Sequence, residues 1–93
     1  MRIVAWNCNM ALDRKVEVLL DLAPDIAIVC ECAEPERLRL RSRSSWMQGD
    51  PVWIGRNPHK GLAVFAFNGY AVRLCEQYHP SLRYVARRVR GVL

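Results

Sequence analysis

No run of eighteen or more apolar residues occurs in the chain, so no helix long enough to cross a membrane is expected. The opening, Met1-Arg2-Ile3-Val4-Ala5-Trp6-Asn7, lacks the longer apolar core of a secretory signal. Cytoplasmic placement is therefore the expectation. Internal repeats and low-complexity tracts are missing too. Histidine is scarce, and neither His59 nor His79 stands at ligand spacing from the cysteines at 8, 30, 32 and 75. Cys30-x-Cys32 without a second pair is a poor zinc signature. Alternation along a strand would put those two thiols on one face, opposite Glu31. Buried or half-buried thiols in a reducing compartment are the expected state.

Lysine is rare: twelve of the fourteen basic residues are arginine, a bias toward forked contacts with phosphate or carboxylate. Acids are scarce after residue 36, where only Asp50 and Glu76 remain. Residues 1–36 therefore carry a formal −4 and residues 37–93 a formal +9, for the overall +5. A basic half permits a nucleic-acid or phospholipid partner, although a solvated arginine-rich surface is the plainer reading.

What is present is enough for one domain. The chain has 93 residues, and an apolar share of 52% supports a real core and argues against disorder. Ile3-Val4-Ala5-Trp6 reads as a strand ending at Asn7-Cys8-Asn9, and Ile26-Ala27-Ile28-Val29-Cys30 as a second ending at Glu31. Between them Leu12, Val16, Leu19, Leu20 and Ala23 make the apolar stripe of a helix, which Pro24 terminates. Strand, helix and strand of this length predict a parallel βαβ crossover with adjacent strands. Asn7 and Glu31 then both reach the carboxyl edge of the sheet, where open α/β sheets place ligands. Regular alternation puts Asn7 with Ala5 and Asn9 on one face of the first strand, and Glu31 with Ala27 and Val29 on one face of the second. An amide oxygen and a carboxylate converging there suit a hard divalent cation such as Mg²⁺.

Beyond Glu31, Pro35 is suited to a first helical position, predicting one or two helical turns. Read as strand instead, the same stretch would line Arg37, Arg39, Arg41 and Arg43 on one face. Residues 44–51 read as loop, Val52-Trp53-Ile54-Gly55 as a short strand, and Arg56 to Gly61 as a turn-rich loop. His59 and Lys60 are phosphate-binding candidates, a solvent-exposed loop histidine being the plainer alternative. Leu62–Phe67 predicts a buried strand, Asn68-Gly69 a type I′ hairpin turn, and Tyr70–Cys75 the returning strand. Leu82–Val89 alternates like a further strand. The fold class is thus α/β (α+β): a βαβ unit followed by antiparallel strands. Trp6 and Trp53 are expected in the core.

Three landmarks in order, Trp6-Asn7-Cys8-Asn9, Pro24-Asp25 before the strand ending in Glu31, and Lys60-Gly61-Leu62-Ala63-Val64-Phe65, resemble the endonuclease/exonuclease/phosphatase family. That family is DNase I-like and includes nucleases, inositol-phosphate phosphatases and sphingomyelinases. The resemblance implies half of a four-layer α/β sandwich and metal-assisted hydrolysis of a phosphoester with Mg²⁺ (or Mn²⁺). It makes Glu31 the metal ligand and Asn7 a catalytic residue positioning metal or phosphate. Asn9 falls at a position that in some members holds an acid near the metal. The alternative function is a non-catalytic basic module binding nucleic acid or protein.

The family's later Asp-x-Asn and Ser-Asp-His steps are not found here, and Cys30 stands where Gln is usual. Residues 1–93 therefore read as a single partial domain, truncated at its carboxyl end. Family members pack two sheets face to face. With most of the second missing, one sheet face is expected to expose Val, Ile and Phe and to promote self-association.

Overall fold

Alternation of burial along the first strand survives folding. In the computed structural model, which describes residues 1–41 and 45–74, β1 (Ile3–Asn7) half-buries Val4 and Trp6 and exposes Ile3, Ala5 and Asn7. It is followed by α1 (Leu12–Asp21), β2 (Ile26–Cys32), α2 (Pro35–Arg41), β3 (Val52–Asn57) and β4 (Lys60–Ala66). The strands form one mixed sheet in the order β1-β2-β4-β3. β1 and β2 are parallel, as the βαβ pattern requires, and β4 runs antiparallel to both of its neighbours. The α/β class is thereby established.

Both helices contribute to the core on one side of the sheet. Leu12 and Leu19 of α1 and Leu38 of α2 join Ala27, Val29, Ala63 and Phe65 in a single buried cluster, with Val16 at its margin. The α1 stripe is narrower than its spacing predicts, because Leu20 is 38% exposed and Ala23 lies outside the helix. Ala23 adopts φ 48° and its N–H donates to the Leu20 carbonyl, a left-handed cap just before Pro24. Of the two readings of residues 35–41 the helical one holds, with Pro35 first. Residues 45–51 have no regular structure, yet Trp46 from that loop is buried. Its ring lies 5.0 Å from Phe65 and 6.5 Å from Phe67.

Trp53 shows why two glycines stand where they do. Its indole lies over Gly55 and Gly61, and a Cβ on Gly61 would come within 2.4 Å of the indole Cε2. That close approach lets Trp53 Nε1 donate to the Cys32 carbonyl at 2.9 Å, tying β3 across β4 to the end of β2. The β3–β4 connection is tighter than the predicted Arg56–Gly61 loop. β3 continues to Asn57, leaving the two-residue turn Pro58-His59. The Asn57 Oδ1 accepts the His59 N–H at 2.9 Å, a side-chain substitute for a backbone turn.

The opposite sheet face is covered only in part. Ile26, Val64, Ala66 and Val72 form a small cluster, with Ile28, Val52 and Tyr70 packed at its edge. Asn68 and Gly69 have φ of 57° and 82°, and the Tyr70 N–H returns to the Phe67 carbonyl, the predicted type I′ turn. The expected Tyr70–Cys75 strand does not form after this turn: within residues 70–74 only Ala71 and Leu74 make single bridges. Cys75 and the Leu82–Val89 prediction lie outside the described residues. The expectation of exposed phenylalanine is also corrected. Phe65 and Phe67 share the parity of Ala63 and turn toward the helices, so both are buried. Ile3, Ala5 and Cys30 are what the open face leaves exposed near the β1 edge.

Candidate metal and phosphate site

The carboxyl ends of β1 and β2 meet in an irregularity. The register pairs Ala5 with Ile28 and Asn7 with Cys30, so Asn7 belongs to the open face. A regular β2 would have sent Glu31 to the other face, beside Ala27 and Val29. Instead, Val29 lies opposite Ala63 and Cys32 opposite Gly61, three residue steps on β2 against two on β4. This is a β-bulge, which places one extra residue on the bulged strand and re-aims the side chains around it. Val29 and Cys32 both point into the helix-side core at 0% exposure, while Cys30 is exposed. The two thiols thus face opposite ways rather than sharing a face.

Glu31 emerges on the open side. Its Oε1 lies 3.5 Å from Lys60 Nζ, and Lys60 shares the parity of Leu62 and Val64 along β4. Glu31 reaches this position with φ 52°, in the left-handed region that favours glycine. Asn9 (φ 51°) and Met10 (φ 58°) are left-handed as well, so three such residues stand at one sheet edge. The bulge frees ladder carbonyls, and the loop after β1 satisfies them. The Cys8 N–H and thiol donate to the Cys30 carbonyl at 3.2 and 3.3 Å, and the Met10 N–H donates to the Glu31 carbonyl at 3.0 Å. The Cys8 thiol also lies 3.2 Å from the Glu31 carbonyl. Burial, reinforced by that neighbouring thiol, pushes the Cys32 thiol far above its ordinary range and keeps it neutral.

The five candidate residues fall into two pairs and a remaining histidine. Glu31 and Lys60 form the ion pair, lining with Cys30, Gly61 and Leu62 a shallow hollow of about 200 Å³. Asn7 and Asn9 form a second pair: the Asn7 Oδ1 accepts the Asn9 N–H at 3.0 Å, an Asx turn at the strand end. Asn7 is exposed and does not line the hollow, and no side-chain hydrogen bond joins it to Glu31 among the described residues. His59 joins neither pair. It sits at the hairpin tip with Nδ1 3.4 Å from Arg41 Nη2, a contact that residue spacing did not anticipate. Asp25, one of the landmark residues, is spoken for structurally. Its carboxylate accepts from Asn68 Nδ2 at 2.8 Å and from the Arg2 N–H at 2.7 Å, which lowers its pKa below the ordinary value.

The donor set at the edge is lean. No group of three or more His, Cys, Asp or Glu side chains able to hold a metal occurs among the described residues. A single carboxylate, Glu31, is what the hollow itself offers a cation; Mg²⁺ is a cation that binds through one or two carboxylates and otherwise keeps water and phosphate. Lys60 supplies the positive charge at Glu31 as the chain stands, so a cation and Lys60 would compete for that carboxylate. A larger cleft of about 390 Å³ lies between Pro35 and Trp53, lined also by Glu34, Glu36, Arg39, Asp50 and Pro51, away from these pairs. No helix among the described residues is long and apolar enough to cross a membrane. No family model, curated protein or solved structure matches the chain.

Proposed function

We propose that this chain carries part of the site of a cytoplasmic, Mg²⁺- or Mn²⁺-dependent phosphoester hydrolase of the endonuclease/exonuclease/phosphatase type. Glu31 is the metal-holding carboxylate, Asn7 the amide that positions metal or phosphate, and Asn9 a further oxygen donor. The observation that supports this reading is Glu31 itself. A charged residue occupies a left-handed bulge position where glycine is the comfortable choice, and non-glycine strain of this kind clusters at functional sites. A bound Mg²⁺ would polarise phosphoryl oxygens and offset charge developing on a leaving group. Lys60 pairs with Glu31 until a cation arrives, and Asn7 keeps its oxygen aimed by bonding the Asn9 N–H. Groups to activate water are not among these residues, so turnover requires further ones. The open face bearing Ile3, Ala5 and Cys30 belongs to the same proposal as a surface for self-association, read by size-exclusion chromatography.

The test uses two substitutions at one position. Thermal stability of the chain should rise with Mg²⁺ or Mn²⁺, and Glu31→Gln should abolish the rise. Glu31→Gly should also abolish it while stabilising the metal-free chain by about 1 kcal/mol, because the strain is relieved. A metal response unchanged in both variants defeats the proposal. The second reading, a non-catalytic basic module, would show DNA binding that weakens steeply with salt and ignores Glu31.

A further inference from the structure

Two neighbouring thiols lie beneath the sheet edge that carries Asn7 and Glu31, and the hydrolase reading uses neither. Cys8 and Cys32 are both at 0% exposure and both belong to the helix-side core. The β1–β2 ladder brings them together. Asn7 pairs with Cys30, and the Cys8 N–H donates to the Cys30 carbonyl, so the parallel pairing runs on through Cys8. The Cys8 Sγ lies 3.2 Å from the Glu31 carbonyl oxygen, which belongs to the peptide bond leading into Cys32. One peptide unit thus separates the Cys8 sulfur from the Cys32 Cα. The bulge turns Cys32 inward to the same side, and a side-chain hydrogen bond joins the two thiols.

Adjacent strands lie about 4.8 Å apart and a disulfide spans Cα separations of about 4.4–6.8 Å, so neighbouring positions on β1 and β2 suit a cross-link. Oxidation would leave the backbone bonds at this edge in place. The Cys30 carbonyl keeps the Cys8 N–H and the Glu31 carbonyl keeps the Met10 N–H, so only S–H donors are lost. Cys30 takes no part, because it is exposed on the opposite face. We propose that Cys8 and Cys32 are a reversible redox site, a dithiol that a peroxide converts to an intramolecular disulfide. One sulfur attacks the peroxide, the O–O bond breaks, and a sulfenic acid and water result; the partner sulfur then forms the S–S bond and releases a second water. The two sulfurs together lose two electrons, and the peroxide gains them. Burial keeps Cys32 neutral, so the reaction is slow and waits on opening of the exposed Asn9-Met10 loop that follows Cys8. The bond joins the residue between Asn7 and Asn9 to the residue after Glu31, fixing those two backbone segments to each other. The inference goes beyond the hydrolase reading and holds whether or not Glu31 binds a metal.

The experiment treats the full chain with hydrogen peroxide under native conditions, alkylates the remaining thiols in denaturant and maps the peptides by mass. Cleavage after Glu17, Glu31 and Glu36 puts Cys8, Cys30, Cys32 and Cys75 on four different peptides, so the linked pair is read directly. A Cys8–Cys32 pair that dithiothreitol separates is expected, in a chain that elutes from size-exclusion chromatography as before. The melting temperature of the oxidised chain should rise by about 5 °C or more, as closing a loop of this length does. Cys8→Ser and Cys32→Ser should each abolish the linked pair and the rise, and Cys30→Ser should keep both. Where a buried serine prevents folding, the peptide map of the parent chain decides. The proposal is overturned if peroxide yields only sulfinic or sulfonic acids at these positions. Linkage of either thiol to Cys30, to Cys75 or to a second chain instead overturns it too, as does a Cys8–Cys32 bond that forms only in denaturant. Glu31→Gln should give the same linked pair as the parent, so a lost metal response leaves the redox site standing.

Discussion

The two faces of the sheet differ in what covers them. On one, α1, α2 and the Trp46 loop bury Ala27, Val29, Ala63 and Phe65 almost completely. On the other, Val72 and Tyr70 cover Ile26, Val64 and Ala66, while toward β1 Ile3 remains 56% exposed. The closed face concentrates the apolar burial, the dominant favourable term in folding. The open face carries the exposed ends, where Asn7, Glu31 and Lys60 emerge. Stability and candidate chemistry are thus divided between opposite sides of the same four strands.

The contrast is broken most directly by truncating one residue on each face. Phe65→Ala should cost about 3–5 kcal/mol, whereas Ile3→Ser should stay within about 0.5 kcal/mol, as surface changes do. Denaturant unfolding measures both, and similar losses would mean that the open face is covered after all. Gly61→Ala comes next. It forces a methyl into the Trp53 ring, and overpacking of that kind costs about 1–3 kcal/mol. Loss of the Trp53–Cys32 bond should register as a change in tryptophan fluorescence. A variant as stable as the parent would show that Trp53 is not the tie between β3 and β2.

Asp25 gives the smallest effect, and one confined to acid. Hydrogen bonds from Asn68 and from the Arg2 N–H lower its folded pKa below the ordinary 3.8. Its contribution is therefore complete above that value and fades as pH falls through the lower, folded one. Asp25→Asn should flatten the acid limb of the stability curve and leave its neutral region with little pH dependence. An acid limb identical to the parent's would remove Asp25 as the clamp between the amino terminus and the Asn68-Gly69 turn.

Much of the fold was readable from residue order. The Leu12, Val16 and Leu19 spacing specified α1, Asn68-Gly69 specified a type I′ turn, and a strand–helix–strand of that length specified a parallel pair. The Pro58-His59 turn was less legible, because Asn57 substitutes a side-chain bond for the glycine expected in a tight turn. Trp46 looked like part of a polar loop, and nothing local announces that its ring lies on Phe65. The Arg41–His59 contact spans eighteen positions and has no signature in spacing.

Local backbone preference and apolar periodicity determined the elements and their order, since both act between near neighbours in the chain. The side from which Glu31 emerges was decided only in three dimensions. Period-two alternation sends it into the core, and one extra residue between Val29 and Cys32 reverses that. With the bulge in place, Cys32 is buried opposite Gly61 while Val29 stays opposite Ala63. No single segment carries that pairing.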